Sequence, residues 1–348
     1  MNMHINDLAA EIKRQKALKR DFIATAWDGF RMEGGGNHLY IEELSNHRLR
    51  DYAHADLSGF TEIPKHYYDR MRREQPELLA TNVNHWLEAK KEPRLIRVLD
   101  NQIRCIRSNT FRPLDHDQLI EATLPALYEH PSIQIKECHL TEKKLYLKAV
   151  LPKLEFEVRK GDIVQFGLTI SNSEIGQGAL EVAIFAFRLA CLNGMVVPDG
   201  KQRRSHVGGR LGDDLAAEYF ADETRKLADK AFFLKLRDTT RHMLSEAACE
   251  GAIVQMQRAA GEPLTGRVDK VVQELAKRSN LNEDEGTSVL EFLLKGGDMT
   301  RWGLANAVTA LARTRMDDDA DRSDELQRLG GKLISLNESE WSQVAEAA

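Results

Sequence analysis

Cysteine is scarce in this chain: four in 348 residues, at Cys105, Cys138, Cys191 and Cys249. No two stand at C-x-x-C spacing, which argues against a structural zinc site built on paired cysteines. So few thiols in so long a chain also argue against a disulfide framework. Long apolar runs are absent, and nothing approaches the roughly 18 consecutive apolar residues of a membrane-spanning helix. The opening residues, Met1-Asn2-Met3-His4-Ile5-Asn6-Asp7, hold no basic segment followed by an apolar core. The expectation is therefore a cytoplasmic protein without a secretory leader and without a membrane partner.

Neither charge sign dominates. The 49 Lys+Arg stand against 54 Asp+Glu, a net charge of −5, which excludes a uniformly basic nucleic-acid binder and leaves room for a local basic face. The familiar catalytic patterns are missing: there is no H-E-x-x-H, no G-x-S-x-G, no Walker A, no kinase or EF-hand signature. Without a paired nucleophile and base, no catalytic residue is assigned, and no cofactor or metal is expected. Internal repeats and low-complexity segments are absent as well.

What is present is the composition of a globular protein, 42% hydrophobic and 30% charged, enough to bury a core. The length suggests about two domains. Charge divides the chain: residues 1–212 carry 31 Lys+Arg against 28 Asp+Glu, and residues 213–348 carry 18 against 26. Ten of the eleven histidines precede residue 213. The expected organisation is an α+β domain over 1–212 and an acidic helical region over 213–348.

The local patterns agree with an α+β fold. Helices are expected over Asn6–Leu18, Pro64–Glu74, Leu78–Lys91 and His116–Tyr128, with Pro64 suited to a first turn and Pro93 to a stop. A short strand is expected at Leu39–Ile41. Three hairpins follow: Leu95–Leu99 with Gln102–Arg107 around Asp100-Asn101, Ser132–Leu140 with Lys143–Val150, and Leu154–Val158 with Asp162–Ser171. Successive hairpins predict an antiparallel sheet with covering helices. Leu180–Leu192 is apolar at nearly every position and fits a buried strand or a buried helix. Beyond Asp213 the pattern is helical: Ala216–Gly251, Val268–Ser279, Asp284–Leu294 and Thr300–Thr314. Asp317–Asp321 is then an exposed acidic loop or a helix start.

Four stretches are candidates for chemistry. The first leaves a strand at Phe166 and gathers Ser171, Asn172, Ser173 and Glu174 before a turn through Gly176 and Gly178. It fits either a structural turn or a ligand-facing loop; the dinucleotide fingerprint fails because Glu181 replaces its third glycine. The second sets Arg188 inside an apolar run, where a charge needs a partner or a ligand; Glu174 and Glu181 are the expected partners. The third, Lys201 to Arg210, holds Lys201, Arg203, Arg204, His206 and Arg210 with no acid and could clasp phosphates. The fourth, Arg94 to Arg112, sets Arg94, Arg97, Arg104, Arg107 and Arg112 against the single acid Asp100. A regular strand would place Arg104 and Arg107 on opposite faces, and a bulge would change that. Tyr67, Tyr68, Trp86 and Phe111 nearby fit either core or base-stacking roles. Asp115 and Asp117 flank His116 as a helix N-cap or a metal-binding pair.

The run Phe166–Leu180, followed by Arg188–Met195, resembles the signature of the phage/plasmid-like protein family, domain of unknown function 932. Pro64–Met71, Leu95–Arg97, Arg104, Ser108 and His206–Gly209 extend the resemblance over about residues 35–260. The resemblance implies a protein of phages, plasmids and integrative elements that works on foreign or replicating DNA, and it transfers no catalytic residue. In layout it is also similar to single-strand-annealing recombination mediators, an analogy of architecture only.

The function expected from this reading is non-catalytic binding of nucleic acid, single-stranded DNA foremost, in recombination or replication. The phosphate contacts would come from Arg97, Arg104, Arg107, Arg112, Lys201, Arg203, Arg204, His206 and Arg210. A homo-oligomer is compatible with it. One alternative is an enzyme on a nucleotide or small anionic ligand, using Ser171–Glu174, Gly176, Gly178, Arg188 and His206. The other is a scaffold or host-interaction protein working through the acidic helical region.

Overall fold

The computed structural model describes residues 3–42, 44–198, 202–204 and 222–347, the side chains at 28, 202–204 and 222–226 excepted. The fold is α+β, with two sheets and a helical C-terminal region. The described chain forms two compact units. One holds residues 9–113; the other holds the first eight residues, Leu114–Arg204 and the chain from Asp222 onward. This packing boundary and the charge boundary at 212/213 are separate features: the second sheet and the acidic helices share one unit. Helix α1 (Ile5–Leu18) contributes residues to both.

In the 9–113 unit, a six-stranded sheet runs in the order β1-β5-β6-β4-β3-β2. Its strands are β1 (Arg20–Thr25), β2 (Phe30–Met32), β3 (His38–Ile41), β4 (Ser45–Leu49), β5 (Pro93–Leu99) and β6 (Gln102–Ser108). The short α2 (Ala26–Gly29) follows β1, and α3 (Asp51–Phe60), α4 (Lys65–Glu74) and α5 (Pro76–Leu87) lie between β4 and β5. Every pair is antiparallel except β4 with β6. Three helices and a strand separate those two, a connection long enough for strands to run parallel. The expected β5–β6 hairpin is present, and Asp100 and Asn101 both take positive φ (53° and 60°), matching the twist of a two-residue hairpin turn. Period-two alternation buries Phe30, Met32, Leu39 and Ile41 with Leu57, Leu79, Val83 and Ile96 in one core. The Asn84 side chain accepts from the Met32 N–H (2.7 Å) and donates to the Met32 carbonyl (2.9 Å), closing part of an edge strand that would otherwise offer bare backbone groups.

The other unit opens with α6 (His116–Tyr128), started by a capping box between Asp115 and Gln118. An antiparallel sheet follows in the order β7-β8-β9-β10-β11: β7 (Gln134–Leu140), β8 (Leu145–Arg159), β9 (Asp162–Asn172), β10 (Leu180–Arg188) and β11 (Asn193–Val196). Strand β12 (Gln202–Arg204) also pairs with β10. The two hairpins expected between Ser132 and Ser171 are one meander, because 15-residue β8 serves both. Its register against β9 shifts between Val150 and Glu155, around Pro152, which has no N–H to give the ladder. Leu180–Arg188 resolves as a strand, with neighbours on both sides.

Seven helices follow among the described residues: α7 (Asp222–Met243), α8 (Glu246–Gly261), α9 (Val268–Ser279), α10 (Glu283–Gly296), α11 (Arg301–Arg315), α12 (Ala320–Ser335) and α13 (Glu338–Ala345). The helix expected over 216–251 is broken, because Ser245 caps a new helix by accepting from the Ala248 N–H. The acidic run resolves as a helix start: Asp319 caps α12. Helix α12 approaches β11 so closely that a Cβ at Gly331 would lie 1.8 Å from the Val196 carbonyl oxygen. Only glycine fits there.

Candidate functional site

The Ser171–Glu174 stretch ends β9, and its side chains turn inward. Asn172 donates to the Leu114 carbonyl (2.7 Å) and meets His116 Nδ1 (3.1 Å). Ser173 Oγ accepts from the Gln177 N–H, and Glu174 accepts from the His116 N–H at 2.9 Å. The carboxylate thereby answers an unsatisfied donor at the N-terminus of α6 and complements the helix dipole. All four side chains are buried. Gly176 and Gly178 take positive φ (74° and 159°), and a Cβ at Gly178 would strike Lys144. The geometry is that of a loop clasping a helix start. Carboxylate oxygens of Asp115, Asp117 and Glu174 lie within 4.8 Å of one another, so these three are where a cation could be held. Asp115 and Glu174 already serve the start of α6.

Arg188 pairs with Asp162 through two bonds (2.6 and 2.9 Å), not with Glu174 or Glu181. Antiparallel pairing sets Arg188 opposite Val164 on β9, which brings it beside the start of that strand. Asp162 also accepts from the Trp302 indole N–H at 2.9 Å.

Glu181 belongs to a buried network that the sequence did not disclose. Lys148, 1% exposed, contacts Glu137 (2.9 Å), Asp324 (3.1 Å) and Gln327 (2.8 Å). Gln327 donates to Glu137 (2.8 Å). Arg328 bonds Asp324 (2.6 Å), Glu181 and, at 3.5 Å, the Ser171 hydroxyl. The Tyr146 hydroxyl donates to Asp321 at 2.6 Å. Burial pushes the Asp324 carboxyl upward, but Lys148 and Arg328 outweigh burial and hold it down at about 2. Burial likewise disfavours charge on Lys148, and Glu137 with Asp324 more than restores it. Helix α12 thus meets the sheet through paired charges and hydrogen bonds.

The arginines of the β5–β6 hairpin are not a surface stripe. Arg97 is 0% exposed and paired with Asp21 across β1 (2.9 Å). Arg104 is 4% exposed. It stands in a bulge, where the β5–β6 register shifts between Arg97 and Val98, which upsets the alternation argument from sequence. Arg107 pairs with Asp56 (3.1 Å), and Arg112 is half-buried. Arg94 stacks on the Phe60 ring at 3.9 Å. Tyr68 and Phe111 are core, while Tyr67 and Trp86 are exposed. Of the third stretch, Arg203 and Arg204 lie on β12, in register with Glu181 and Leu180. Lys201, His206 and Arg210 lie outside the described residues.

Asp56 carries a pH signature. Burial raises its carboxyl from 3.8 to about 6 against the pull of Arg107 and the Ile106 N–H. The folded state therefore holds this proton more tightly than the unfolded chain. Its contribution to stability is full below about pH 4 and declines until about pH 6. Asp56→Asn is expected to remove that decline, roughly 2–3 kcal/mol. Urea midpoints of both proteins across this window check it; parallel pH profiles would contradict it.

Comparison with family models, with curated proteins and with solved structures finds no match. Among the described residues, no helix is long and apolar enough to cross a membrane.

Proposed function

We propose that this chain is an accessory protein of the phage/plasmid type that binds nucleic acid, with single-stranded DNA as its occupant, in recombination or replication. The observation that carries the reading is the charge of the 9–113 segment, which holds 19 Lys+Arg against 15 Asp+Glu. On it, Lys13, Arg20, Arg31, Arg48 and Lys91 are exposed with no carboxylate partner among the described residues. Cations not already neutralised inside the protein are the ones that release counterions from a phosphate backbone. Tyr40, Tyr67 and Trp86 on the same unit expose their rings, and unpaired bases stack on such surfaces. Arg97 and Arg104, enclosed in the fold, are not part of the proposed contact.

A gel mobility shift comparing one oligonucleotide, single-stranded and annealed to its complement, tests the reading. The expected result is a shift of the single strand at lower protein concentration. A duplex shifted at the same or lower concentration would contradict the single-strand assignment, and no shift with either would contradict nucleic-acid binding.

A further inference from the structure

Resting on that reading, we infer that the single strand lies on the outward face of β2, β3 and β4, with Tyr40 stacking a base and Arg31 and Arg48 taking phosphates. None of these residues was singled out from the sequence for this role.

Register defines the face. Arg31 stands directly opposite Tyr40, and Tyr40 opposite Asn46; His38 stands opposite Arg48. Their strand neighbours Met32, Leu39, Ile41 and Leu49 are buried, so alternation turns Arg31, His38, Tyr40 and Arg48 outward together. All four are exposed, Tyr40 at 43%. Directly opposed residues hold their Cβ atoms about 4.5–5.5 Å apart, so an aromatic ring has a guanidinium one strand away. The arginines have no ion pair among the described residues. An uncommitted cation beside an exposed ring on a rigid sheet suits a flexible anionic chain with unstacked bases.

The neighbouring acids set the limits of the surface. Glu33 is held by the Asn46 amide at 2.6 Å. Glu77 of α5 lines the depression that also holds Arg31, Glu33 and Tyr40. Arg31 therefore meets phosphate beside these two carboxylates, while Arg48 lies outside the depression. On β5 and β6, Arg97, Leu99 and Arg104 are buried, so the open face is confined to the three short strands.

The test is fluorescence anisotropy of a labelled oligothymidylate titrated with the full chain and its variants across a salt series. Tyr40→Ala is expected to weaken binding about 5- to 150-fold, with Tyr40→Phe retaining it, because the ring and not the hydroxyl stacks. Arg31→Ala combined with Arg48→Ala is expected to reduce the slope of log K against log salt by about 1.4, the value for two phosphates on a single strand. If the wild type binds and these variants match it in affinity and slope, the face is wrong and nucleic-acid binding stands. If the wild type itself does not bind, both fall. Circular dichroism of each variant separates lost binding from lost folding.

Discussion

Replacing Lys148 by methionine is expected to destabilise the sheet-and-helix unit by about 3–5 kcal/mol. The ammonium is enclosed and serves two buried carboxylates, Glu137 and Asp324. Methionine matches its volume and leaves Glu137 without its cation, while Asp324 retains Arg328. Breaking one half of a buried pair exposes the full desolvation cost of the other half; removing both does not. Lys148→Met with Glu137→Met is therefore expected to regain part of the loss, a non-additivity characteristic of groups in contact. Urea denaturation of the two variants reads both numbers. A Lys148→Met loss below about 1 kcal/mol would mean the network is not what joins α12 to the sheet. The same network sets an acid limit. Because Asp324 is held near 2 in the folded state, its contribution is present above about pH 4 and disappears as pH falls from about 4 towards about 2.

Arg301→Met is expected to cost a similar amount, about 3–5 kcal/mol, for a different reason. Arg301 is 1% exposed and sits at the start of α11. Its guanidinium donates to the Leu333 carbonyl (2.6 Å), the Leu336 carbonyl (2.5 Å) and Glu262 (2.7 Å), and lies 5.1 Å from the centre of the Trp341 ring. One planar fork thus ties together the ends of α8 and α12 and the side of α13. Arg301→Lys is expected to recover little, since an ammonium on a flexible stem cannot reproduce three diverging N–H directions. Thermal melts of the two variants check this; recovery to wild-type stability in Arg301→Lys would show that charge alone matters.

The sequence made local structure legible where its signals were short-range. Asp100-Asn101 marked a hairpin, and the apolar period of Val268–Ser279 marked a helix with those bounds. It did not reveal β1, whose partner β5 lies far along the chain, nor β4 and α3. Distance is also why Arg188 was matched to the wrong acids, since Asp162 lies 26 residues away and meets it only through the β9–β10 register. Lys148 stands between the apolar Leu147 and Ala149, and Glu137 sits in a polar stretch beside Lys136, both patterns of a solvated sheet face. Only α12, with Asp324 and Gln327 facing them, turns that face into an interior. Arg97 and Arg104 misled in the same way. Arg31, Tyr40 and Arg48 escaped notice for the opposite reason: they stand on strands of three to five residues, too short for alternation to be counted.

The most direct test of the proposed function is the salt dependence of binding by the unmodified chain to a labelled single-stranded oligonucleotide, read by anisotropy. Binding that weakens linearly in log salt, with a slope of about 0.7 per phosphate neutralised, is the predicted result. Absence of binding at low salt, where surface electrostatics are strongest, would contradict it.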